Sequence, residues 1–228
     1  MKNIFITLKK KHIIILLFII FAICLVFFAG RVVKSSSPKA NYTVVIDAGH
    51  GGIDGGAVGK NSGMTEADLN LDYAKYLKNM MEEFGFKVVM TRSSSDGLYN
   101  PLASNKKRDD MKKRKEIIEK SNADFVISIH MNSYNSTTSG AQVYYGKGDE
   151  VSKVLADNIQ NYFIRYLVDA KKTSKIGDYY MLNAIKAPSV LVECGYLSNP
   201  NEEALLISED YKKEVCYSIM LGVLSYLR

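Results

Sequence analysis

The stretch Val44-Val45-Ile46-Asp47-Ala48-Gly49-His50-Gly51-Gly52 sets the terms for the whole chain. A β-branched apolar run stops abruptly, and a histidine follows inside a loop of glycines. Runs of this length between turn signals read as buried strands, and glycine lets the backbone turn and approach a bound group closely. A histidine there sits at the mouth of a sheet, where open α/β folds place their ligands.

Four more apolar runs follow, with helical patterns between them. The spacing predicts strands over Phe86–Thr91, Phe125–His130, Ala141–Tyr145 and Ser189–Glu193. Thr65-Glu66-Ala67-Asp68 matches a capping box and opens a helix carrying Leu69, Tyr73, Tyr76, Leu77, Met80 and Phe84, closed by Gly85. Further helices are expected at 108–121, 150–168 and 209–227, with a short one from Asn199. Strands alternating with helices argue for one α/β domain, a largely parallel central sheet flanked by helices. The polar segment 93–107 is long enough to suggest a functional loop. In 108–121, Met111, Arg114, Ile117 and Ile118 share a helical face. The charges around them read as a solvated helix surface with favourable pairs, the alternative being a basic surface for an anionic polymer.

The formal charge of +6 does not mark a nucleic-acid binder. Six basic residues and no acidic one fall within residues 1–34; without them, 24 basic residues face 24 acidic ones. Behind Lys9-Lys10-Lys11 lie seventeen consecutive apolar residues, Ile13 to Ala29. As a helix they span about 26 Å, the short end of what a bilayer core needs. The expected organisation is a cytoplasmic basic N-terminus (1–12), a transmembrane anchor or signal segment (13–30), a linker (31–41) and the α/β domain (42–228). The lysines favour a cytoplasmic start and an extracytoplasmic domain. Phe27 makes a poor cleavage site, which favours an anchor over a removed signal. Cys194 and Cys216 could pair only if the fold joins them; buried free thiols are the simpler expectation.

Three strands end in ionisable residues: His50, just past the first, His130 and Glu193. Glu66, at a helix start behind the first strand, adds a second carboxylate. Two histidines and one carboxylate match the ligand set of catalytic zinc, which leaves a position open for water. A further carboxylate can take the water's proton and deliver it to a leaving nitrogen, and Glu193 is the candidate. Singly, each residue has an ordinary structural reading: a hydrogen-bonded histidine, a carboxylate at a helix N-terminus, a glutamate paired with a lysine. Their joint placement favours chemistry. Other motifs fail: Asp54 stands where a dinucleotide fingerprint needs its third glycine, and Gly59-Lys60 lacks the earlier glycine of a phosphate loop. Ser104 and Lys107 have no partner motif, and Cys194 is a weak nucleophile candidate.

Taken together, Val45 to Gly52, Asp54-Gly55-Gly56-Ala57, Glu66, Thr91-Arg92, Ser128-Ile129-His130-Met131-Asn132-Ser133 and Leu191 to Asn199 resemble the zinc-dependent N-acetylmuramoyl-L-alanine amidases over about residues 42–227. The resemblance implies zinc held by His50, Glu66 and His130, with Glu193 as the catalytic glutamate. It implies cleavage of the amide between N-acetylmuramic acid and the L-alanine of the stem peptide in peptidoglycan. Gly97-Leu98-Tyr99, Lys106 to Met111 and Gly140-Ala141-Gln142 resemble the germination-specific enzyme of spore formers, which prepares muramic δ-lactam in the spore cortex. An activating lipoprotein partner belongs to the same resemblance; no wall-binding repeat is seen, so the apolar N-terminal segment is expected to supply localisation. Ala67 departs from the family, where lysine is common. A vegetative wall amidase used in cell separation and a non-catalytic, membrane-tethered wall-binding or activator protein are the competing readings.

Overall fold

The apolar runs become six strands of one sheet in a computed structural model that describes residues 10–11, 15–21 and 42–228. The strands are β1 (Thr43–Ala48), β2 (Lys87–Met90), β3 (Phe125–Asn132), β4 (Gln142–Tyr145), β5 (Lys175–Ile176) and β6 (Ser189–Tyr196). Their order is β2-β1-β3-β6-β4-β5. β2, β1, β3 and β6 are mutually parallel; β4 runs antiparallel to β6, and β5 pairs parallel with β4. The largely parallel sheet expected from the sequence is present, with two strands reversed at one edge.

The helices are α1 (Glu66–Glu83), α2 (Lys106–Ser121), α3 (Glu150–Tyr166), α4 (Tyr180–Asn183), α5 (Pro200–Leu206) and α6 (Glu209–Tyr226). Thr65 caps α1 as its sequence pattern requires, accepting from the Asp68 amide at 3.2 Å. Neither β5 nor α4 was legible in the sequence, because two and four residues are too short to show a period.

Alternation along each strand sorts the side chains onto two faces. Val44, Ile46 and Ala48 of β1, with Ile127, Ile129, Val190 and Val192, join the large core that α1, α3 and α6 cover. Val45 and Val126 enter a much smaller core with Ile118 of α2 and Met181 of α4. Asp47, Ser128, His130 and Glu193 have the same parity as this second set, so they face the thinly covered side. At its carboxyl edge the sheet leaves an open cleft there.

Lys10, Lys11 and residues 15–21 are helical and exposed. Among the described residues no helix is long and apolar enough to cross a membrane. Most of the segment expected to anchor the chain (13–30), and the linker 31–41, lie outside the described residues.

Candidate active site

The backbone delivers His50 in a conformation that few side chains adopt. Its φ is +59°, in the left-handed region, directly after β1. Two buried arginines hold the turn in place. Arg92 donates to the carbonyls of Ala48 (2.9 Å), Gly49 (2.8 Å) and Ala67 (2.8 Å). Arg114, from α2, donates to the carbonyls of Ala48 (2.6 Å) and His50, and to the carboxylates of Asp47 (2.7 Å) and Asp110 (2.6 Å). The charged run in α2 is therefore not uniformly solvated: Arg114 is 1% exposed. Burial alone would push the Asp47 carboxyl up; the Arg114 charge and bonds from Ser128 and Thr91 outweigh it and hold the group at about 2.

Glu66 stands at the first turn of α1 and turns into the cleft, nearly buried. Its Oε1 lies 3.1 Å from His50 Nε2 and 2.9 Å from His130 Nδ1, while Oε2 accepts from the Ala57 amide at 3.0 Å. Burial works against its charge, yet the two imidazoles draw its pKa well below the carboxylate range. His50 Nδ1 is 2.9 Å from Asp54 Oδ1, close enough for ion pairing though outside hydrogen-bond geometry. Burial lowers the basicity of His50, but Glu66 and Asp54 raise it further.

Two glycines of the loop make room for these groups. A Cβ on Gly49 would fall 2.2 Å from His130 Cε1, and one on Gly56 would fall 2.5 Å from Glu66 Oε2. The loop is glycine-rich because imidazole and carboxylate pack directly on its backbone.

Glu193 pairs with His130 across β6 and β3. Beyond it the register slips: Asn132 lies opposite Tyr196, so β6 carries one extra residue and bends there. Glu193 is 6% exposed, and its Oε2 has no hydrogen-bond partner among the described residues. Burial raises its pKa to about 7, the Glu66 charge adding to this and the two histidines opposing it. A carboxyl poised there can hold or release a proton near neutral pH.

His50, Glu66, His130 and Glu193 thus converge on one cleft of about 900 Å³, which Asp54 and Tyr99 also line. Tyr99 comes from the long loop, where its hydroxyl accepts from the Ile53 amide at 3.0 Å and braces the glycine loop. One donor atom each from His50, Glu66 and His130 lies within 4.8 Å of the others. Tetrahedral ligands about 2 Å from zinc sit roughly 3.4 Å apart, so two imidazoles and a carboxylate at this spacing suit that ion. Cys194 and Cys216 are buried free thiols and take no part.

A family profile described as N-acetylmuramoyl-L-alanine amidase matches residues 44–225. The chain belongs to this family. The amidase domain is 38% identical over 197 residues to the germination-specific N-acetylmuramoyl-L-alanine amidase of Bacillus subtilis, covering 84% of this chain and 82% of that protein. Among solved structures it is similar to the CwlD amidase of Clostridioides difficile, in complex with the GerS lipoprotein, at 38% identity and a TM-score of 0.78, covering 82% of this chain and 98% of that one. The catalytic domain of CwlV, an amidase from Paenibacillus polymyxa, matches at 33% identity and a TM-score of 0.72, covering 82% and 98%. The amidase fold and activity class are those that the sequence resemblance implied.

The sequence reading missed Asp47, Arg114 and Asn70, whose amide bonds the Gly49 carbonyl at 3.2 Å. The available signals were a carboxylate inside an apolar strand and an arginine on an otherwise apolar helix face.

Proposed function

We propose that this amidase hydrolyses the bond between N-acetylmuramic acid and L-alanine with zinc held by His50, Glu66 and His130, and that it serves spore cortex maturation through muramic δ-lactam formation. The observation that carries the site assignment is the shared Glu66 oxygen between two imidazoles, with an unpartnered buried Glu193 oxygen beside them. Zinc bound there supplies Lewis-acid polarisation of the amide carbonyl and acidification of a water.

The chain's own groups do the rest. Glu66 completes the ligand set between the two imidazoles, and Asp54 stands 2.9 Å from the outer nitrogen of His50, where its charge favours this orientation of a ligating ring. Glu193 takes a proton from the attacking water and passes it to the departing alanine nitrogen, a role that its buried Oε2, without a partner among the described residues, leaves it able to fill.

The cortex role is supported by similarity to a protein named germination-specific and by the Gly97-Leu98-Tyr99, Lys106 to Met111 and Gly140-Ala141-Gln142 motifs. A lipoprotein partner is supported by the CwlD structure, which is a complex with one. The apolar segment 13–30 would tether the domain, residues 42–228, outside the cytoplasm. One experiment tests the core of this reading. Glu193→Ala should retain zinc, counted by metal analysis of the purified chain, while stem-peptide release falls roughly 100-fold or more. Complementing a deletion strain should restore cortex δ-lactam with the wild type and not with this variant. Restoration by both would refute the role given to Glu193; a deletion strain that keeps its cortex δ-lactam would point to a vegetative wall enzyme.

A further inference from the structure

Beside the catalytic cleft lies a second cavity, of about 470 Å³, whose charge is opposite in sign. It is lined by Asn105, Lys107, Arg108, Met111, Lys112 and Tyr180, with three cations and no carboxylate. Lys107, Met111 and Tyr180 also line the cleft, so one groove runs from the metal-binding cluster into the basic cavity.

Three of the six lysines of α2 pair with a carboxylate along the helix. Lys113 lies 3.5 Å from Asp109 and Lys115 lies 3.4 Å from Glu119. On the cavity side the pairing thins out. Lys112 reaches Glu116 only at 4.0 Å and Lys107 reaches Asp54 at 3.7 Å, and Arg108 pairs with no carboxylate among the described residues. All three are exposed, over a half-buried Met111. Arg108, with no carboxylate partner among the described residues, and Lys107 and Lys112, with only long ones, stand together in the cavity that continues the active-site groove.

We propose that this cavity is a carboxylate-binding subsite that receives the free carboxylates of the stem peptide and makes the enzyme prefer acidic over amidated stems. The proposal rests on the amidase reading of the adjoining cleft. The cleft centre is rich in carboxylates (Asp54, Glu66, Glu193), so an anionic peptide lying in it needs positive charge nearby, and Arg108 and Lys112 supply it. Arg108 offers a planar fork that matches a carboxylate, and Lys112 a mobile point charge.

The test compares the full-length zinc-loaded chain with R108Q/K112Q and with the charge-preserving R108K/K112R. Each is given two soluble muramyl peptides that differ only in having free or amidated stem carboxylates. The wild type should favour the acidic substrate about fivefold in kcat/KM, and the preference should shrink towards one at about 0.5 M salt. R108Q/K112Q should lose the preference and R108K/K112R should retain most of it. An equal preference in wild type and R108Q/K112Q, or none in the wild type, would overturn the subsite. So would a variant impaired on intact wall alone, which would mark a site for a long anionic polymer. If the wild type cleaved neither substrate, the amidase reading would be the one to fail. Calorimetric titration of the free acidic peptide would then decide the subsite: weaker binding to R108Q/K112Q supports it, equal binding overturns it.

Discussion

Adding one methyl group at Gly49 would drive a carbon into the His130 imidazole, 2.2 Å from Cε1. The neighbour that would have to yield is a ring that also bonds Glu66 at 2.9 Å, so relief at one contact breaks the other. Gly49→Ala should therefore weaken zinc binding by about tenfold or more and destabilise the domain by roughly 1–3 kcal/mol. Competition titration with a chelating dye and urea unfolding would check the two effects, and unchanged zinc affinity would show that the ring has another place to go. His50 illustrates the converse. Its left-handed backbone is strained for a non-glycine residue, and hydrogen bonds to its carbonyl and to those of Ala48 and Gly49 hold it there.

Helix α2 looks from outside like a solvated, highly charged element, and most of it is. Its inner face, however, carries Arg114, which joins the helix to β1 through Asp47 and to the His50 turn through two carbonyls. The pair with Asp47 is buried on both sides. Removing the cation strands a carboxylate in the interior, so Arg114→Met should destabilise the domain by about 3–5 kcal/mol in urea unfolding. Arg114→Lys keeps the charge but lacks the planar fork, and should recover only part of that loss. The glycine loop depends on α5 in the same manner: Glu203 accepts from the amides of Asn61 (2.9 Å) and Ser62 (2.7 Å), 142 and 141 residues away in the chain. The geometry of the candidate site is held by buried polar bonds between elements far apart in sequence.

For the folded domain taken together, these buried charges set the acid limit of stability. The Asp47 carboxyl sits at about 2 when folded and near its ordinary 3.8 when unfolded. The unfolded chain therefore takes up the proton first. The group contributes stability in full above about pH 4, and that contribution drains away as the pH falls towards 2. The shift corresponds to roughly 2 kcal/mol. Urea midpoints measured between pH 5 and 2 should fall with this step, and Asp47→Asn should flatten it while lowering stability at neutral pH. Much of the molecule was written in its sequence. Apolar runs of strand length, the capping box at Thr65 and the strand-end residues His50, His130 and Glu193 pointed to an α/β domain with ionisable groups gathered at one sheet edge, because period and turn chemistry are local properties. The motifs also identified the amidase family before any coordinate was known. The sequence could not say that β4 and β5 reverse direction, that Arg114 turns inward from a charged helix, or that β6 bulges just beyond Glu193. Nor could it say that the loop glycines are spaces for His130 and Glu66. Each of these depends on which groups meet across the fold, and a single side chain's burial and partners are fixed only when distant segments pack together.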